Sequence, residues 1–327
     1  MKQTFSQQSN TSNAALSFQD LRGVLLPITT PFDAAGNVDL VGLRINIAKW
    51  NTTGISGYVL LGSTGERVHL DEREYLEVIE TARAGVGQRP DGLTFIAGAG
   101  QQSTRGTINE IKRLSDRVNV DAFLIITPHF YRPSITQQAL IAHYQSIADA
   151  SPAPVILYSM PALTGVKIEP ETAARLSEHE NIIGIKDSSA DLDGLRETIK
   201  LVRRDFAVLT GNGTVLSQAL SAGACGGILA VGCVAPEICL EIFRAVTVGE
   251  DERASSLQEK LTPLAQAVTT SFGIGGLKAA LEMKGYIGGA VRAPLVHPSD
   301  EAREEIRRRL EDAQKAIQEL LGPKALV

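Results

Sequence analysis

A chain of 327 residues is long enough for two average domains or one large α/β barrel. Hydrophobic residues make up 43% and charged ones 21%, which fits a folded protein in water, and apolar runs such as "PVILYSMPAL" are too short to span a bilayer. With 32 basic and 37 acidic residues the net charge is -5, and no dense basic tract could track phosphates, so neither nucleic acid nor a membrane is expected as a partner.

In chain order, residues 1–20 are rich in Ser, Asn and Gln, lack an apolar core of signal-peptide type, and read as a loose tail. Eight β-branched or apolar runs follow. They are "GVLLPITT" from Gly23, "GYVLLGS" from Gly57, "LTFIAGAG" from Leu93, "AFLIITP" from Ala122, "PVILYSMP" from Pro154, "IIGIKDSS" from Ile182, "AVLTGN" from Ala207 and "GGILAVG" from Gly226. Between them lie stretches of helical period, among them "DEREYLEVIETARAGVG" and "SITQQALIAHYQSIADA", the first with acidic residues in its opening turn as the helix dipole prefers. Strands that are apolar throughout, without alternation, suit a sheet covered on both faces. Eight such βα repeats predict a closed (β/α)₈ TIM barrel over residues 21–250. "GAGQQSTRG" lacks the third glycine of a dinucleotide fingerprint.

From Asp251 to residue 327 the chain reads as a C-terminal helical extension, two charged amphipathic segments flanking the Gly-rich link "SFGIGGLKAALEMKGYIGGAVRAP". In the last segment Glu304 and Arg308, and Glu305 and Arg309, are spaced for ion pairs one turn apart. Cys225, Cys233 and Cys239 form no CxxC pair and, with no secretory signal, predict reduced core thiols and a cytoplasmic protein.

In such a barrel the chemistry lies where strands end. The sixth strand ends on Lys186, and a period of two puts Gly184 and Ile182 on the same face, which leaves room beside the amine. Apolar, water-poor surroundings disfavour the charged form of an amine, and a neutral amine can attack a ketone to form an imine. Taken alone, Lys186 could equally reach solvent or pair with Asp187. Tyr158 ends the fifth strand at a similar height, where a phenol could move protons, or could simply be a core tyrosine with a satisfied hydroxyl. The second strand ends in "GSTGE", whose Gly62 and Gly65 let the backbone turn N–H groups outward while Ser63 and Thr64 add hydroxyls. That suits a small carboxylate; a plain turn is the other reading.

Together, "PITTPF" at 27–32, "GSTGE" at 62–66, "ILYSMPALTG" at 156–165 and "GIKDSSAD" at 184–191 resemble the dihydrodipicolinate synthase / N-acetylneuraminate lyase family, from about Gly23 to Pro294. The resemblance implies a pyruvate-dependent class I lyase working through a lysine Schiff base, with no metal or organic cofactor, built as a homotetramer of paired dimers. It makes Lys186 the imine-forming lysine, Tyr158 the proton-transferring tyrosine, and Ser63 with Thr64 the carboxylate-binding and relay pair. Ser188 resembles a pocket hydroxyl of one branch, and Ile228 the residue whose backbone closes over the imine.

Departures from the pattern narrow the branch. Synthases of the family carry an arginine after the fifth strand, where this chain has Leu163, and a tyrosine pair after the fourth, where it has His129 and Phe130. Sialic acid lyases use acids after the seventh strand, where "TGNGTV" has none. "LYSxP", "KDSxxD", "FGIxGLK" and "GYxGGxxRAPL" resemble 4-hydroxy-2-oxoglutarate aldolases and 2-keto-3-deoxy sugar acid aldolases. The expected reaction is therefore cleavage of a 4-hydroxy-2-oxo acid to pyruvate and an aldehyde, with condensation of pyruvate and aspartate semialdehyde as the alternative. The five histidines lack HxH or HxxxH spacing, so a metal-dependent aldolase would have to assemble its ligands from distant loops. A phosphate-binding isomerase using "TGNGT", or a keto-acid-binding regulator without catalysis, are further alternatives.

Overall fold

Eight parallel strands close on themselves in sequence order, the first pairing with the eighth. The computed structural model describes residues 16–87 and 92–321. The strands are β1 (Gly23–Pro27), β2 (Gly57–Leu60), β3 (Thr94–Ala99), β4 (Ala122–Ile126), β5 (Val155–Ser159), β6 (Ile182–Asp187), β7 (Ala207–Thr210) and β8 (Gly226–Ile228). Each lies within one of the eight runs expected from the sequence. The fold is a (β/α)₈ TIM barrel with C-terminal helices, as expected.

The apolar runs fill two compartments at once. Leu25, Val59, Ile96, Leu124, Ile156 and Leu209 meet inside the barrel. Their sequence neighbours Leu26, Tyr58, Phe95, Phe123, Leu157 and Val208 pack outward under the helices. This double burial is why the strands show no polar alternation. Helix starts follow their capping residues: Asp71 caps Glu72–Val86 in a reciprocal box with Glu74, and Thr136 caps Gln137–Ala150. The three cysteines are buried and free, and burial pushes the Cys225 thiol up to about 12.

Several expectations need adjustment. Most of the predicted tail lies outside the described residues, but Leu16 and Leu21 are buried in the barrel's inner cluster, Leu21 as the last residue of the 3₁₀ turn Phe18–Leu21. Thr94 at the start of β3 donates to Asp20 O at 2.9 Å, so this segment closes the barrel floor. The Gly-rich link is half helix: Gly273–Met283 is α-helical, largely buried, and packed against Asp300–Leu321. Glycine disfavours helix, yet a Cβ on Gly275 would lie 2.7 Å from Val296 O and one on Gly276 2.6 Å from Phe272 Cβ, so close packing overrides local preference. Of the two expected ion pairs on the last helix, Glu305–Arg309 forms, while Glu304 takes Arg307 and Arg308 turns to Glu305. No helix among the described residues is long and apolar enough to cross a membrane.

Candidate active site

The order of β5 beside β6 decides the site, because it pairs Tyr158 with Lys186 and Ser159 with Asp187. Lys186 is 4% exposed, and its Nζ stands 4.3 Å from the centroid of the Tyr158 ring. Asp187 does not neutralise it: the next residue along a strand faces the other way, and its carboxylate accepts the Ser189 N–H at 2.7 Å. The structural ion pair open from sequence is therefore absent.

The face Lys186 shares differs from a simple period of two. Val155 pairs with Ile182 but Ile156 with Gly184, so Ile183 is an extra residue, a β-bulge. As a result Ile183 enters the inner cluster and Ile182 packs outside. Gly184 leaves no hollow either, since a Cβ there would lie 2.6 Å from Ala207 O. Space beside the amine comes from Gly211, just past β7, where a Cβ would lie 2.7 Å from Lys186 Cε and 2.0 Å from Ser188 Oγ. The Gly211 N–H donates to Asp187 O at 2.5 Å, fixing that approach. Sequence reasoning missed Gly211; a glycine ending the strand next to a candidate lysine was the available signal.

From the other side comes the loop after β2. Gly62 opens it, Ser63–Gly65 makes one 3₁₀ turn, and Thr30 Oγ1 donates to Gly65 O at 2.7 Å. Ser63 Oγ lies 3.3 Å from the Tyr158 hydroxyl, and Thr64 is 9% exposed beside it in sequence. The loop is strained at both ends: Leu61 and Glu66 adopt positive φ of 53° and 54° without being glycine. Each such residue costs on the order of 1 kcal/mol, so its surroundings must hold it there. Sequence inspection picked out the glycines and overlooked these two.

Burial alone would raise the Tyr158 pKa, but the adjacent Lys186 charge and polar contacts from Ser63, Ser188 and Lys186 outweigh it and hold the phenol below its ordinary 10.0. A phenol so placed gives up its proton more readily than a free one. Lys186, Tyr158, Ser63 and Ser188 thus converge. Ile228 ends β8 with its side chain fully buried in the inner cluster, and the chain runs on through Leu229 N–H to Leu25 O at 3.1 Å. Phe130 and Leu163 do not join the cluster: they are 74% and 64% exposed, and Phe130 packs edge-on against Tyr131 at 5.1 Å. The histidines scatter, His69 to Glu66, His143 to Thr104 and His179 to Asp149, and no group of three or more His, Cys, Asp or Glu among the described residues could hold a metal.

Comparison with known proteins shows the family and the fold. The profile of the Dihydrodipicolinate synthetase family matches residues 20–313. A 4-hydroxy-tetrahydrodipicolinate synthase of Haloarcula marismortui is 35% identical over 289 residues, covering 88% of this chain and 92% of the relative. The structure described as the first monomeric dihydrodipicolinate synthase variant is 30% identical with a TM-score of 0.84, covering 91% of this chain and 98% of that one. The dihydrodipicolinate synthase from Acinetobacter baumannii complexed with pyruvate is 31% identical with a TM-score of 0.83, covering 90% and 99%. The chain belongs to the dihydrodipicolinate synthetase family, and is a pyruvate-dependent class I carbon–carbon lyase whose chemistry runs through a lysine imine and needs no external cofactor.

Proposed function

We propose that the chain reversibly cleaves a 4-hydroxy-2-oxo acid, 4-hydroxy-2-oxoglutarate or a 2-keto-3-deoxy sugar acid, to pyruvate and an aldehyde, with Lys186 as the imine-forming amine. The observation that supports this most is the convergence of a buried lysine, a tyrosine of lowered pKa and a hydroxyl-bearing turn at the strand ends. The unprotonated Lys186 Nζ adds to the C2 ketone, and loss of water gives the imine. Tyr158, as phenolate, takes the proton of the C4 hydroxyl. The C3–C4 bond breaks, its electron pair moves to the enamine, and the aldehyde leaves. Protonation at C3 and hydrolysis then return pyruvate and the free amine. Ser63 stands within reach to pass the proton on, and the N–H groups and hydroxyls of Ser63 and Thr64, after Gly62, hold the substrate carboxylate. Ser188 orients the phenol, and the backbone at Ile228 closes over the imine.

A second reading uses the same imine to condense pyruvate with aspartate semialdehyde, and the names of the relatives favour it. Leu163 and Phe130, at the positions where synthases are expected to carry arginine and tyrosine, favour the first. Incubation with pyruvate and borohydride followed by peptide mass mapping tests the shared step: the label is expected on Lys186, and a label elsewhere, or none on active protein, overturns it. Initial rates on 4-hydroxy-2-oxoglutarate, deoxy sugar acids of both C4 configurations, and pyruvate with aspartate semialdehyde decide between the readings. A cytoplasmic homo-oligomer, a tetramer of paired dimers, completes the proposal, and sedimentation checks the assembly.

A further inference from the structure

Behind the turn that carries Ser63 and Thr64 lies a charge pair that the reaction itself does not use. Lys278, from the helix Gly273–Met283, is 1% exposed, and its Nζ meets Glu66 Oε1 at 2.5 Å with both side chains almost wholly out of water. The same amine donates to Ala290 O at 2.6 Å and sits 4.4 Å from the centroid of the Phe32 ring. Glu66 is saturated from its other side: Oε2 lies 3.1 Å from His69 Nδ1 and accepts the Arg292 N–H at 3.2 Å. Arg292 spans further, donating to Gly36 O, His69 O and both oxygens of Glu74.

These contacts converge on a residue held in the left-handed conformation that a non-glycine residue disfavours. Glu66 is one of the two strained residues bounding the turn, and its N–H donates to Ser63 O at 3.2 Å. Tension or release at Glu66 therefore passes directly to Ser63, which touches the Tyr158 hydroxyl. Burying two charges is costly, and a well-packed apolar pair would often be at least as stable, so stability alone is a weak reason for an ion pair here. Burial lowers the Lys278 pKa, and the Glu66 charge works against that shift and favours the charged pair.

We propose that Glu66 and Lys278 are positioning residues: the buried pair locks the strained end of the carboxylate-binding turn, and through it the C-terminal helical segment sets the affinity of the site for the 2-oxo acid. The inference rests on the reading of Ser63 and Thr64 as the carboxylate clamp. It assigns the segment after residue 251 a part in the reaction, where its sequence suggests only packing.

The test separates positioning from the penalty of an unpaired buried charge. Lys278→Met strands the Glu66 carboxylate and is expected to lower the melting temperature and weaken pyruvate binding together. The double variant Glu66→Gln/Lys278→Met removes both charges, so melting recovers towards the parent value. The concentration of pyruvate giving half-maximal borohydride trapping stays raised about tenfold, equivalent to about 1.4 kcal/mol, with KM for the 2-oxo acid rising more than kcat falls. Glu66→Gln alone, nearly isosteric, is expected to raise the same concentration to a smaller degree. Parental half-saturation in the folded double variant, or in Glu66→Gln should the double variant not fold, overturns the inference. Absence of trapping in the unsubstituted protein would instead overturn the imine reading itself, so the two failures are distinct.

Discussion

Replacing Tyr158 by phenylalanine removes one oxygen and leaves the ring that Lys186 stands over. The ring is part of the barrel's inner cluster, so packing survives. Of the hydroxyl's contacts with Ser63, Ser188 and Lys186, the one to Ser63 is long at 3.3 Å, and loss of each such hydrogen bond costs stability about 1 kcal/mol. The effect on rate is far larger if the phenol is the proton carrier. A positioned acid–base group contributes roughly 10²–10⁴-fold, or about 3–5 kcal/mol of barrier. Because Ser63 could still pass a water's proton, the lower half of that range, about 10²–10³-fold in kcat, is expected. Pyruvate release followed with lactate dehydrogenase gives the rate, and a melting curve controls for folding. The pH profile adds a second check. A base that must be ionised gains activity as pH rises through its pKa, and the phenol's lies below 10.0, so the part of the ascending limb that the phenol sets should sit below that value and be lost in Tyr158→Phe. A folded variant within about threefold of the parent, its limb unchanged, would refute Tyr158 as the proton carrier.

Gly211→Ala puts a methyl 2.7 Å from Lys186 Cε and 2.0 Å from Ser188 Oγ, and since displacement of an active-site group by about 1 Å can cost 10²-fold, borohydride trapping with pyruvate should slow by about that factor; trapping at the parental rate would contradict the role given to this glycine. Leu163→Arg adds a charge-assisted donor worth about 1.5–3 kcal/mol to a bound carboxylate. It is expected to raise kcat/KM for aspartate semialdehyde at least about tenfold relative to deoxy sugar acids, and an unchanged ratio would remove Leu163 from the specificity argument. His143 is 6% exposed, and burial holds its pKa down at about 4 against an ordinary 6.5. The folded state therefore refuses a proton that the unfolded chain accepts, and the stability present above pH 6.5 is lost as pH falls towards 4, on the order of 3 kcal/mol for this group. Urea midpoints measured from pH 7 to pH 4 should fall less steeply in His143→Gln; equal slopes would show that this histidine does not set the acid limit.

Much of this molecule was legible in one dimension. A parallel barrel buries both faces of every strand, so each strand leaves a continuous apolar run, and the eight runs appear in spatial order because each strand pairs with the next. Lys186 and Tyr158 stood out because each interrupts such a run at the strand end where barrels place their chemistry. Features that depend on how two distant segments meet left no comparable mark. The bulge at Ile183 is a property of the β5–β6 register, so a strict alternation misplaced Ile182. The need for glycine at 211 comes from Lys186 and Ser188 leaning across from the neighbouring strand. The helix Gly273–Met283 keeps Gly275 against its own propensity because Val296, from beyond the helix, packs against it at close range. Lys278 inside "GLKAAL" reads as one charge in an apolar helix until Glu66 arrives from the far end of the chain to meet it. Local periodicity records which faces are buried, whereas partners separated by many residues are chosen by the closing of the barrel, and no short window of sequence carries that information.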